Sequence, residues 1–182
     1  MSRPYARAMW RGHWFDRRTI SALEWVERKY LAERKGRAPL RIGQGSFANG
    51  SMSGGTHAGS SAADIMFAGV SNADRADIVK WLRRAGFAAW ARTGPLWGAN
   101  GSNDHAHAIL IGGKGMSAAA QSQVAAYRNH RNGLADNAWD NTPRPRIRRR
   151  WNHRLGRPVV HPLPGQKLTE RQKRLLPPKP RP

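Results

Sequence analysis

His57 and Asp64 stand seven positions apart in "SGGTHAGSSAADI", residues 53–65, a run of Gly, Ser and Ala with almost no large apolar side chain. Such a run cannot build a core, but it can fold back and bring an imidazole and a carboxylate to one point. Forty residues on, "NDHAHAILIG" places a second polar cluster in an apolar strand pattern. Strand alternation puts His105, His107 and Ile109 on one face and Ala106, Ala108 and Leu110 on the other. Two imidazoles on one face of a central strand are costly to bury without partners, and a metal ion is such a partner. Two imidazoles and one carboxylate with an open fourth position make up a catalytic zinc site, where bound water becomes nucleophilic near neutral pH. The expected ligands are therefore His57, Asp64 and one histidine of the His105/His107 pair. Asp104, three residues before His107, is left over as a general base. It would take a proton from the activated water and deliver it to the departing amine.

Other chemistries fit less well. The helical His-Glu-x-x-His zinc pattern is absent. A non-haem iron triad uses the same donors, but its His-x-Asp pairing and jelly-roll strand content are missing. "GQGSFA" is a degenerate dinucleotide loop followed by too much glycine for the required helix, and "GGKGMS" lacks P-loop spacing. With no cysteine there is no disulfide framework, zinc ribbon or thiol nucleophile, so a metal site must use His, Asp and Glu.

The elements that must position these residues read as an α+β fold, a small antiparallel sheet with flanking helices, over residues 1–142. "TISALEWVERKYLAERKG" is a helix by the spacing of Ile20, Leu23, Val26, Tyr30 and Leu31, with Ser21 and Glu24 in capping-box relation and Gly36 as the stop. "SNADRADIVKWLRRAG" is a second, capped by Ser71 or Asn72, with Ile78, Trp81, Leu82 and Ala85 inward and Gly86 as the stop. "MSAAAQSQVAAYRNHRNG" is a third, from Ser117 to Gly133. Strands are expected at residues 40–43, 63–67, 87–92 and 105–112. A chain of 182 residues has room for one such domain and an appendage.

The appendage is residues 143–182, with 13 Lys and Arg against the single Glu170 and 9 of the 12 prolines. It reads as a basic, proline-rich arm without helical or strand periodicity, apart from a short helix in "LTERQKRLL". The whole chain carries +21, which points to polyanionic partners: nucleic acid, an anionic cell-wall polymer or an acidic assembly. Eight tryptophans include Trp90, Trp97 and Trp139 as candidate walls of a substrate groove and Trp151, among arginines, as a stacking surface for a base or sugar. No stretch approaches the length of a membrane span, and the basic start lacks the apolar run of a secretory signal. The chain is expected to be made in the cytoplasm without membrane insertion.

Taken together, "GTHAGSSAAD" and "DHAH" resemble the zinc D-Ala-D-Ala carboxypeptidase and L-alanyl-D-glutamate endopeptidase family. Its hallmark is Ser-x-His-x-x-Gly-x-Ala-x-Asp followed by an acid three residues before a closing His. His57, Ala62 and Asp64 stand at the first motif, and Asp104 and His107 at the second. "QGSF" at 44–47 and the stretch after the second motif look like small actinobacterial phage and prophage members, over roughly residues 1–137. The resemblance implies one zinc ion on His57, Asp64 and His107, Asp104 as base, His105 stabilising the tetrahedral intermediate, and Gln44 on the substrate or the polarised carbonyl. It further implies a phage lysin-like peptidoglycan peptidase, released through a membrane by a separate pore and held on anionic wall polymers by the basic arm. The alternative is a virion or tail component of the same fold whose arm grips neighbouring virion proteins or nucleic acid. The chain departs from the pattern at Gly55 and Ser60, where the hallmark has Ser and Gly, and at Asp104, where the acid is usually Glu.

Overall fold

The computed structural model describes residues 3–48, 54–145 and 149–160, with Thr169, Glu170 and Leu176. The fold is α+β. A hairpin of β1 (Arg7–Trp10) and β2 (His13–Asp16) leads into α1 (Arg17–Glu33). Strands β3 (Ile42–Gln44) and β4 (Ala62–Met66) precede α2 (Asn72–Ala85), and β5 (Phe87–Arg92) and β6 (His105–Leu110) precede α3 (Ala118–Arg128). A second hairpin, β7 (Arg149–Asn152) and β8 (Arg157–Val160), follows. The central sheet runs β3-β4-β6-β5, antiparallel throughout, so the histidine strand β6 is interior.

Alternation along these strands divides the apolar residues between two faces. Ala63, Ile65, Ala89, Ala106, Ala108 and Leu110 join the main core, where Leu23 and Val26 of α1 and Ile78 and Leu82 of α2 close over them. The other face packs Ala62, Ala88, Trp90 and Ile109 against Ala120 and Val124 of α3. Helix α3 covers one end of that face and leaves the positions of Asp64, His105 and His107 beyond it.

The helix termini differ in part from the sequence reading. The α1 cap is Asp16, whose Oδ1 and Oδ2 accept from the Thr19 amide and hydroxyl at 2.8 and 2.9 Å. Ser21 and Glu24 lie inside the helix, which ends at Glu33. Ser71 caps α2, and Gly86 ends it at φ 101. A methyl group at Gly86 would stand 3.0 Å from the Arg149 carbonyl oxygen, because β7 lies against this turn. Ser117 caps α3 as expected, but the helix stops at Asn129 because His130 takes the left-handed conformation, φ 58.

Two hairpins escaped the sequence reading. The β1–β2 turn is Arg11-Gly12, both with positive φ, as a two-residue hairpin turn of matching twist requires. The β7–β8 hairpin corrects the reading of residues 143–182 as an arm without periodic structure. Trp151 is 3 % exposed and packs edge-on against Trp25, 6.1 Å between ring centroids, so it is a core residue and no stacking surface. Val159 and Val160 are buried beside it. The expected helix in "LTERQKRLL" lies outside the described residues apart from Thr169, Glu170 and Leu176. Among the described residues no helix is long and apolar enough to cross a membrane.

Candidate metal centre

Strand register brings the chemically distinctive residues together in two rows on the α3 face. Asp64 pairs with His107, with Gln44 on its outer side and Trp90 beyond His107. In the next row Met66 pairs with His105 and His105 with Arg92. His57 comes from outside the sheet, on a 3-10 turn at Thr56–Ala58. Gly54 and Gly55, at φ 53 and 78, supply the left-handed backbone that starts this turn. A serine at position 55 would be strained there, a local reason for glycine at the hallmark position. Gly59 lets the α3 approach come within contact, since a methyl group on it would meet the Ser117 nitrogen at 2.4 Å. Ser60, buried, donates its hydroxyl to the Lys114 carbonyl at 2.7 Å and ties the same two segments. The Gly/Ser/Ala composition of residues 53–65 therefore serves close backbone approach around one histidine.

His57 is 1 % exposed and donates Nδ1–H to the Gly45 carbonyl at 2.7 Å. Because a carbonyl only accepts, the proton of the neutral ring is on Nδ1 and Nε2 carries a lone pair. That Nε2 is buried without a hydrogen-bond partner and lies 3.2 Å from Asp64 Oδ2. Two acceptors face each other at that distance only with a cation between or beside them, a proton or a metal. Asp64 Oδ1 meets His107 Nδ1 at 2.7 Å, and His107 Nε2 is also buried without a partner. The ligand atoms of His57, Asp64 and His107 lie within 4.8 Å of one another, so this group can hold a metal ion.

The electrostatics agree. Burial works to raise the Asp64 pKa, but the His107 and His57 rings outweigh it and hold the carboxyl far below the usual range. Burial works to lower the His57 pKa, and Asp64 with the Gly45 carbonyl reverses the sign. For His107 burial prevails, and its pKa is lowered despite Asp64. The cluster thus offers a firmly ionised carboxylate, the form in which it binds a metal, beside an imidazole, His107, whose burial favours the neutral form.

The remaining expected site residues are placed as follows. His105 donates Nδ1–H to the Asn103 carbonyl at 2.7 Å, leaving its Nε2 lone pair 3.7 Å from Asp64 Oδ1. Trp97 stands edge-on to it at 4.9 Å, and Trp90 stacks on His107 at 6.2 Å and 20°. Gln44 is beside Asp64 in the register. Trp139 lies against His130 and is exposed. Asp104 is not the free carboxylate that the sequence suggested. Arg75 of α2 donates to its Oδ2 at 2.8 Å and the Gly94 amide to its Oδ1 at 3.2 Å, which anchors the connection between β5 and β6.

Two contributors went unread in the sequence. The Gly45 carbonyl orients His57, a backbone role that no side chain announces. Arg92, 4 % exposed, lies on the site face of β5, and burial lowers its pKa to about 10 against the pull of Asp64, Asp140 and Asp136. Its signal was the Trp90-x-Arg92 alternation, which puts a guanidinium on the same face as a buried tryptophan. Compared with protein-family models, curated proteins and solved structures, the chain matches none.

Proposed function

We propose that the protein is a zinc-dependent peptidase that hydrolyses an amide bond in the stem peptide of peptidoglycan, as phage lysins do. The observation that carries this reading is the inward-facing Nε2 of His57, buried without a hydrogen-bond partner 3.2 Å from Asp64 Oδ2, with His107 completing the group. The spacing of these residues, which resembles that of the zinc carboxypeptidase and endopeptidase family, supports it. Two imidazoles and one carboxylate suit zinc better than calcium or magnesium, which take oxygen ligands. Bound zinc supplies Lewis acidity, polarising an amide carbonyl and acidifying water.

The chain's own residues do the rest. His105 Nε2, with its ring fixed by the Asn103 carbonyl, accepts the proton of the attacking water and returns it to the departing amine nitrogen. Asp104 acts at one remove: paired with Arg75 and the Gly94 amide, it fixes the loop that carries Trp97 against His105. Trp90 closes the His107 side to water. Gln44 is positioned in the register to hydrogen-bond a peptide lying along β3. The +21 charge draws the molecule to anionic wall polymers in a salt-dependent way, with residues 143–182 contributing much of it.

Elemental analysis of purified protein, followed by incubation with soluble muropeptides and mass analysis of the products, tests the reading. One zinc per chain and a hydrolysed amide support it. Absence of metal, or intact muropeptides with metal bound, sinks it.

A further inference from the structure

Ser122, Ala126 and Asn129 stand at i, i+4 and i+7 along α3 and its cap, and so share one stripe of the helix surface. Two of these side chains are small, which leaves the stripe hollow. His130, φ 58, turns the chain back after the helix, and the following loop raises Arg131 and Asn137 opposite the stripe. These five residues line a cavity of about 500 Å³, within the range of about 300–1,000 Å³ usual for small-molecule sites. None of them belongs to the metal group. The loop's backbone is well held. The Arg131 amide donates to the Ala126 carbonyl at 2.9 Å, the Asn132 amide to Ala138 and the Asp140 amide to His130, each at 2.8 Å. The Arg131 carbonyl in turn accepts Nε1–H of Trp90 at 3.0 Å. The side chains that face the cavity are free by contrast. The Ser122 hydroxyl, the Asn129 and Asn137 amides and the Arg131 guanidinium make no hydrogen bond among the described residues.

Arg131 carries this polar lining on to Trp139, its partner in an antiparallel bridge, with the guanidinium Cζ 5.1 Å from the indole ring. His130 stacks on the same ring, centroids 5.8 Å and planes 15° apart, and Trp139 is still 57 % exposed. Trp90 and Trp151 are buried, whereas this indole is held in place and left half open to water. The lining selects the ligand. Only Ala126 offers a methyl group, so an apolar molecule gains little, and no carboxylate lines the cavity to hold a hard divalent cation. A side-chain amide pairs an acceptor with two donors and so matches hydroxyl groups, which both give and accept. A sugar ring also presents an apolar C–H face, which an exposed indole covers. We propose that the cavity and Trp139 bind a saccharide unit of a glycan chain. The site stands apart from the metal group and does not depend on the hydrolase reading.

The probes are tetramers of β-1,4-linked N-acetylglucosamine, β-1,4-linked glucose and α-1,4-linked glucose, titrated calorimetrically into the full-length protein at physiological ionic strength. At least one is expected to bind with a Kd of about 1 mM or tighter. Trp139→Ala should weaken that tetramer by about ten-fold or more, as loss of a tryptophan anchor does. Asn129→Ala and Asn137→Gly should each weaken it by about three- to ten-fold, one hydrogen-bonding group being lost in each. Glycine keeps the left-handed backbone of Asn137, φ 46. Trp139, Asn129 and Asn137 are all exposed, so each variant should keep the wild-type Tm. Binding of none of the three tetramers by the wild type overturns the proposal. Binding that survives unchanged in all three variants places the glycan elsewhere and overturns it, as does a loss that follows a fallen Tm in every variant. A deoxythymidine decamer that binds more tightly than every tetramer, and is weakened by the same variants, marks a nucleic-acid site and overturns the glycan. Hydrolysis of a peptide enters none of these measurements, so failure of the peptidase reading leaves the glycan result standing, and the reverse.

Discussion

The Gly45 carbonyl accepts the Nδ1–H of His57 at 2.7 Å, and Gly45 is itself wedged against β2, where a methyl group on its α-carbon would stand 2.7 Å from the Trp14 carbonyl oxygen. The orientation of a candidate ligand is thus set by how closely two backbones approach. Gly45→Ala must push the strand away from the hairpin and turn the carbonyl from His57. Loss of such an outer partner typically costs about 10–100-fold in metal affinity. Competition with a chromogenic chelator measures this, and unchanged affinity would show that the carbonyl is incidental.

Metal should also stabilise the fold, because His57, Asp64 and His107 come from a loop and two strands. At a hundred-fold excess over Kd, binding to the native state alone adds about 2.7 kcal/mol. For a chain of 182 residues, that corresponds to a rise in Tm of about 5–10 °C. Scanning calorimetry with zinc and with chelator reads the difference, and coincident transitions would refute the metal centre.

His105→Gln should retain zinc and lower kcat by about 10²–10⁴, the usual range for removing a general acid–base group. Asp104→Asn should reduce kcat by less than about ten-fold and act mainly on stability, through the Arg75 pair and the Gly94 amide. Turnover of a soluble peptide with both variants decides the matter. If Asp104→Asn falls as far as His105→Gln, Asp104 is the base and must swing away from Arg75 to act.

Away from the site, Asp140 joins the segment after α3 to the buried Arg83 at 2.9 Å and to Arg144 at 2.7 Å. Burial works to raise its pKa, but the two guanidinium groups and the Thr142 amide lower it below the ordinary 3.8. A carboxylate with a depressed folded pKa contributes stability in full above its unfolded value, and that contribution is lost as pH falls through the folded one. Acid unfolding of the wild type should therefore steepen below about pH 4. In Asp140→Asn the curve should flatten there, and stability at pH 7 should drop by about 3–5 kcal/mol because Arg83 is left buried and unpaired. Urea titrations at pH 7 and pH 3 measure both effects.

The sequence was most legible where one periodicity ran without interruption. "FAAWAR" is β5 at its expected bounds, and "HAHAILIG" supplies β6 with its histidines and alanines on the faces that alternation assigns. It misled where a local pattern arose by chance: Ser21 and Glu24 have capping-box spacing, but Asp16, one residue before the helix, holds the Thr19 amide. Composition misled at residues 149–160, where arginine and proline hid Trp151, Val159 and Val160. Their burial depends on Gly86 and Trp25, far away in the chain. Within the site, His57, Asp64 and one histidine of the His105/His107 pair were readable from type and spacing, and the family resemblance pointed to His107, which completes the group that can hold a metal ion. The engagement of Asp104 by Arg75 was not, since it depends on which side of the sheet α2 lies.

Trp151 reaches Trp25 from 126 residues further along the chain. As the protein emerges from the ribosome, α1 must wait for nearly all the elements described here before its outer aromatic face is covered. Until the β7–β8 hairpin arrives, Trp25 and the Gly86 turn present an uncovered apolar surface, the kind that attracts chaperones and other nascent chains. The hairpin therefore acts as a latch on the order of assembly, and a chain stalled or cleaved before residue 149 should be captured by holdases although His57, Asp64 and His107 have all been made.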